Sequence, residues 1–322
     1  MFYALLKFPA TVALWLYCRI IVINKPECLK LKGPLLIAAN HPNSFLDAII
    51  LASLFKQPIY SLARGDVFKN KFFAKLLYSL NIYPVYRTSE GVENMEHNYS
   101  TFNACREIFK KNGIVLIFSE GRCINEWHLR PLKKGTARLA LSSWEQDIPL
   151  TVLPTGINYS NFHHYHKNMH ILFGEPMRSD AVEAHETFGK KVTTFNQRLQ
   201  QELKALVYEI PLEDHNKRAE IFQSPVSVYK KILLCIPALA GAIVHFPLHA
   251  FAQNIARKYG SKNDHYDSIL IALLFVTYPW YLLLITALVF GLSGCLWSFS
   301  LILLLPFCAW STLQLRRQSF SA

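Results

Sequence analysis

Residues 35–55 read LLIAANHPNSFLDAIILASLF, and three patterns follow one another within them. LLIAA (35–39) is a short apolar run of strand type, Asp47 to Phe55 has helical period, and the polar link between them carries a histidine and an acid. A strand that passes directly into a helix is half of a βαβ unit. The same alternation continues downstream. Strands are predicted at PIYSL (58–62), IYPVY (82–86), IVLIF (114–118), LTVLPTGI (150–157) and MHILFG (169–174), with helical patterns at Lys71 to Leu80 and Thr101 to Lys111 between them. Strands alternating with helices predict a layered α/β domain. IVLIF has no polar alternation, which fits a strand covered on both faces, and Asn112-Gly113 is a helix stop just before it.

Working outward, the chain changes character past residue 180. Thr187 to Tyr208 reads as a polar amphipathic helix and EDHNKR (213–218) as a solvated connection. Ser268 to Phe290 and Cys295 to Leu313 are free of charge, and each comes close to the about 20 residues needed to cross a hydrocarbon core. Joined by Gly291-Leu292-Ser293-Gly294, they predict a tight transmembrane hairpin. Arg257, Lys258 and Lys262 precede it and Arg316 and Arg317 follow it, so the positive-inside rule puts both ends in the cytoplasm. Ile232 to Ala252 is also apolar but contains Pro237, Pro247, His245 and His249 between basic flanks; a re-entrant or interfacial helix is expected there. At the amino end, Phe2 to Ile23 is apolar but interrupted by Lys7, Pro9 and Arg19, without a small-residue cleavage site. A helix in the headgroup region, with Lys7 and Arg19 snorkelling to water, is expected. The domain reading is therefore a membrane-associating helix over 1–30, an α/β domain over 31–215, and a membrane region over 225–322 containing the hairpin (268–290, 295–313).

Composition agrees with a lipid setting. Of the 322 residues 52% are hydrophobic and 17% charged, with 34 Lys and Arg against 22 Asp and Glu, a formal +12. That surplus suits an anionic membrane surface or anionic substrates. The basic residues flank apolar spans and form no nucleic-acid reading module, so no nucleic-acid partner is expected. The hairpin lacks an intramembrane charge or a broken-helix pair of the kind transporters use. The seven cysteines lack short paired spacings and read as reduced. His163, His164, His166 and His170 crowd one stretch, but no Cys or carboxylate joins them at a ligand spacing, so they read as a polar surface loop and no metal is expected.

Four blocks carry candidate chemistry. His41 and Asp47 lie at the carboxyl end of the first strand, where open α/β sheets place their sites. An imidazole can take the proton of a hydroxyl, and a carboxylate can fix its tautomer; taken alone, such a pair is more often a loop histidine and a helix N-terminal acid. Arg87 ends IYPVYR, and a guanidinium suits a phosphate, although a solvated strand-end arginine is the commoner case. IFSEGRC brings Glu120 and Gly121 to the same sheet edge, followed by Arg122, Arg130, Lys133 and Lys134, a cationic cluster or a solubilising face. FSEG is not a nucleophile elbow, so Ser119 has no nucleophile role. VLPTGINY (152–159) shapes a further strand end.

Together, in this order, the blocks resemble those of the glycerolipid acyltransferase family, which includes glycerol-3-phosphate and lysophosphatidic acid acyltransferases. NHPNSFLD resembles its His-Asp block, YPVYR the block with a phosphate-binding arginine, FSEG its F-P-E-G block and LPTG its fourth. The resemblance covers Leu35 to Pro176. It implies a mixed sheet flanked by helices, transfer from acyl-CoA or acyl carrier protein with no other cofactor, His41 as base and Asp47 as its orienter. Arg87, Glu120 and Gly121 would hold the glycerol-phosphate end, with Arg122, Arg130 or Lys133 as second cation. Five residues separate His41 from Asp47 where the common block has four, a spacing similar to that of fungal-type acyltransferases acting on glycerol-3-phosphate and dihydroxyacetone phosphate. The expected partners are membrane lipids, the acyl thioester and a glycerol-phosphate or lysophospholipid acceptor, with the catalytic domain facing the cytoplasm. The rival reading is a lipid-binding or membrane-anchoring protein without catalysis.

Overall fold

The computed structural model describes residues 2–86, 95–182, 187–260 and 263–316. Its centre is a sheet of seven strands in the order β1-β7-β6-β2-β5-β3-β4. The strands are β1 (Cys18–Ile23), β2 (Leu35–Ala39), β3 (Ile59–Arg64), β4 (Ile82–Val85), β5 (Ile114–Phe118), β6 (Thr151–Tyr159) and β7 (Lys167–Phe173). Neighbours are parallel except β6 and β7, which pair antiparallel, so the sheet is mixed.

β2 is fully buried, and its side chains divide by parity as a strand requires. Leu35, Ile37 and Ala39 enter the core beneath helices α1 (Phe2–Tyr17), α2 (Ser44–Leu54) and the start of α9 (Tyr266–Ser293). Leu36 and Ala38 enter the opposite core, with α4 (Met95–Lys110), α5 (Gly135–Trp144) and α6 (Phe188–Leu206). α4 stops where Asn112 takes a left-handed φ of 55° and the Gly113 amide returns to Ile108 O. The neighbouring Gly33 has to be glycine for proximity: a Cβ there would lie 2.1 Å from the Gly113 carbonyl oxygen. The remaining helices are α3 (Lys71–Ser79), α7 (His215–Phe222), α8 (Val228–Gly260) and α10 (Leu301–Leu315).

Several expectations change. The amino-terminal helix ends at Tyr17, and residues 18–23 join the sheet as β1. Lys7 is half-buried, and its Nζ donates to the Phe55 and Lys56 carbonyls, acceptors that the end of α2 leaves open. Arg19, on β1, is buried and donates to Ser224 O at 2.6 Å. Four of the six residues of EDHNKR are helical, because Asp214 caps α7 by accepting from the Lys217 amide at 2.9 Å. Arg218, read as solvated, is buried with its guanidinium 4.3 Å from the Trp127 ring centre. The histidine stretch is not a surface loop: His166 is buried and His170 is part of β7.

At the carboxyl end, α8, α9 and the Leu296–Leu315 segment are each long and apolar enough to cross a membrane. The hairpin turn falls at Gly294, in the left-handed region with φ 63°. Residues 228–260 form one helix that continues through Pro237 and Pro247. Both of its ends stay near the sheet domain. Lys230 Nζ donates to Gln314 at 2.7 Å beside β1, and Ala252 and Ala256 enter the core with Tyr266. Its other face leaves Ile232, Leu233, Ile236, Leu239, Ile243 and Phe246 uncovered.

Candidate active site

The parallel register of β2 with β5 and β6 aligns the site. Ala39 is level with Phe118 and with Thr155, so the residues that follow each strand emerge at one edge. His41 comes from β2, Glu120 from β5, and β6 runs four residues further to Tyr159. The five-residue link between His41 and Asp47 closes through Ser44, whose φ of 49° is left-handed, and Asp47 then lies in the first turn of α2. His41 Nδ1 is 2.9 Å from Asp47 Oδ2. The same oxygen accepts from the Asn43 amide at 2.8 Å, and Tyr159 Oη donates to Oδ1 at 2.6 Å. Asp47 is completely buried, whereas the His41 side chain keeps 18% of its surface. The imidazole stacks on Phe118 with ring centres 3.8 Å apart. With Nδ1 committed to Asp47, Nε2 is the ring nitrogen left for a ligand.

His41 lines a cavity of about 1910 Å³. Gly121, Arg122 and Lys133 line it too, together with Arg64, Arg106, Lys134 and Arg138, so the wall is strongly cationic. Gly121 has φ 67°, and a Cβ there would meet Lys133 Cγ at 3.0 Å. Glu120 plays a different part. Its Oε2 accepts from the His41 amide at 2.7 Å and its Oε1 from the Arg130 amide at 2.8 Å. Both oxygens are thus spent on backbone, and Glu120 is buried behind the cavity, where desolvation raises its pKa against the pull of those two bonds. Arg130 is not among the cavity-lining residues. Arg87 lies outside the described residues.

Sequence reasoning missed Tyr159, Cys123, Asp264 and His265. Cys123 Sγ accepts from the Ser44 amide at 2.9 Å, and burial raises its thiol pKa, so it is an acceptor here and not a thiolate. Asp264 and His265 come from the segment that opens α9 and line the same cavity. Burial lowers the His265 pKa, and its Nδ1 is 2.7 Å from Ser44 Oγ. Tyr159 could have been noticed, since it closes the VLPTGINY block at the same sheet edge. Among the described residues there is no group of three or more His, Cys, Asp or Glu placed to hold a metal.

Residues 20–158, which contain the His41–Asp47 pair, Glu120 and Tyr159's strand up to its penultimate residue, match the acyltransferase family. That match covers under half of the chain, so it shows a similarity of this segment to the family. The matched segment begins within β1. A solved structure with a similar fold, the 1-acyl-sn-glycerophosphate (LPA) acyltransferase PlsC from Thermotoga maritima, is 15% identical over 58% of this chain and 73% of its own, with a TM-score of 0.37. A likeness of that size says nothing about the substrate of this chain. No match was found among curated proteins.

Proposed function

We propose that this protein transfers a fatty acyl group from an acyl thioester, acyl-CoA or acyl carrier protein, to a hydroxyl of glycerol-3-phosphate or 1-acylglycerol-3-phosphate. The observation that carries this reading is the His41–Asp47 pair at 2.9 Å, opening on a large cationic cavity inside an acyltransferase-family domain. Asp47 holds the proton on Nδ1, which leaves Nε2 as the base. Nε2 takes the acceptor's hydroxyl proton as the oxygen attacks the thioester carbonyl; when the carbon–sulfur bond breaks, the imidazolium returns that proton to the departing thiolate. Asp47 stabilises the imidazolium between the two steps. Arg122 and Lys133 supply positive charge for an acceptor phosphate, and Arg87 joins them as a bidentate partner. Glu120 acts one step removed, fixing the backbone at His41 and Arg130.

The three long apolar helices support a bilayer setting for this chemistry. α8, with both ends at the sheet domain and one apolar face bare, lies in the interface; α9 and α10 form a hairpin with cytoplasmic ends. Acyl transfer by purified protein in detergent, with a panel of glycerol-phosphate and lysophospholipid acceptors, tests the reading. His41→Ala should lower turnover by roughly 10²- to 10⁴-fold while vesicle binding persists. Arg87→Ala should instead raise the KM for a phosphate-bearing acceptor, and Arg87→Lys should restore it only in part. Wild-type turnover by His41→Ala at saturating acceptor would show that this pair does not do the chemistry, and no acyl transfer by the wild-type protein would leave the membrane-anchoring reading.

A further inference from the structure

α9 contains one charged side chain in 28 residues, Asp267 in its first turn, and that carboxylate is fully buried. An apolar helix that served only as an anchor would gain nothing from such a group, because an ion removed from water costs several kcal/mol unless it is fully partnered. Asp267 is partnered, and its partners lead to the reacting pair. Its Oδ1 accepts from Tyr17 Oη. Its Oδ2 accepts from Lys167 Nζ, on β7 and also fully buried, and from Asn43 Nδ2 at 2.6 Å. Asn43 in turn donates its backbone amide to Asp47 Oδ2, the oxygen that faces His41. One residue therefore joins two carboxylates, the one that orients His41 and the one that opens a membrane helix.

The next two residues of the link are held from the same side. Ser44 Oγ pairs with His265 Nδ1 at 2.7 Å, and the Phe45 amide donates to Ser268 Oγ at 3.2 Å. Asp264, which lines the cavity, accepts from the Asn125 amide at 3.2 Å. Asn43, Ser44 and Phe45 belong to the five residues that separate His41 from Asp47. Each of them is gripped by the opening of α9, and Ser44 is held there in a left-handed conformation that a serine does not favour.

We propose that Asp267 is a positioning residue for acyl transfer: through Asn43 it fixes the link between His41 and Asp47, so the membrane region is a working part of the site. This rests on His41 and Asp47 being the reacting pair. A buried Lys–Asp pair could also serve stability alone, and the experiment separates the two roles in the full-length protein in detergent. The double variants Lys167→Met/Asp267→Asn and Lys167→Met/Asp267→Leu both remove the buried charges. Asparagine keeps a carbonyl oxygen for Asn43 Nδ2, and leucine does not. With equal thermal midpoints, the asparagine variant should retain kcat within a few-fold, while the leucine variant should lose about tenfold or more in kcat with both KM values little changed, as expected when a hydrogen bond to a positioned group is lost. Asn43→Ala leaves the Lys167–Asp267 pair intact, so it guards against a leucine variant that fails to fold, and it should lose kcat in the same way. Equal kcat in the two double variants, or wild-type kcat in Asn43→Ala, overturns the positioning role alone. Absence of acyl transfer by the wild-type protein would overturn the functional reading on which it rests.

Discussion

Tyr159 and Asp47, 112 residues apart in the chain, meet in a hydrogen bond of 2.6 Å in which the phenol donates to the carboxylate oxygen turned away from His41. Asp47 thus has one oxygen for the tyrosine and one for the imidazole and the Asn43 amide. Burial, the carboxylate's charge and this bond together push the Tyr159 pKa well above its usual value, so the tyrosine remains a donor across the working pH range.

Tyr159→Phe keeps the ring and removes only that donor. A hydrogen bond to a buried charge contributes about 1.5–3 kcal/mol, and Asp47 would keep its contacts to His41 and Asn43. The expected outcome is a fall in kcat of about ten- to hundredfold with little change in KM, read by steady-state acyl-transfer kinetics. Unchanged kcat would show that Oδ2 alone holds the pair.

Gly121→Ala tests the turn that follows β5. A side chain at φ 67° costs about 1–2 kcal/mol in backbone strain, and the new methyl would press on Lys133 Cγ. Both effects act on a cation at the cavity wall. The variant should lose about that much stability in denaturant titration, and its KM for a phosphate-bearing acceptor should rise more than its kcat falls.

Protons should destabilise the fold below neutrality. Burial lowers the pKa of His163, His164 and His170 below the ordinary 6.5. Between that value and their folded values the unfolded chain binds more protons than the folded one, so stability falls as pH falls. Glu120, raised by burial, has the opposite sign: its contribution is present below the unfolded value of 4.5 and lost as pH rises through the folded one. It therefore cannot cause a decline that begins near pH 6.5. The thermal midpoint in detergent should drop from pH 7.5 to 5.5, and His170→Gln, away from the cavity, should make that drop shallower.

Sidedness follows from the hairpin. With the four cysteines that are not buried, Cys123, Cys235, Cys295 and Cys308, replaced by serine, a cysteine introduced at Ser261 or at Ser319, which lie outside the described residues, should label from the same face of a sealed vesicle. Labelling from opposite faces would leave an odd number of crossings between them and exclude the hairpin.

The sequence by itself determined the local features. LLIAA and IVLIF are strands β2 and β5 with the predicted limits, because five consecutive apolar residues between polar breaks have only a buried strand to form in a chain of this pattern. The Asn112-Gly113 stop, the apolar helices at the carboxyl end and the candidates His41 and Asp47 were legible for the same reason: each is decided by residues within a turn or two of itself. Strand β1 was not legible, since CRIIVI continues an apolar helix without a break and becomes a strand only because β7 offers it a parallel edge. Nor was the part of Glu120, whose oxygens are claimed by the amides of His41 and Arg130 once β2 and β5 align. Asp267 is the clearest case. In the sequence it is one acid at the margin of a membrane segment. Lys167, Tyr17 and Asn43 reach it from three distant stretches of chain, and only the closing of the sheet domain onto α9 brings them within hydrogen-bonding distance, which is what makes a buried charge tolerable there.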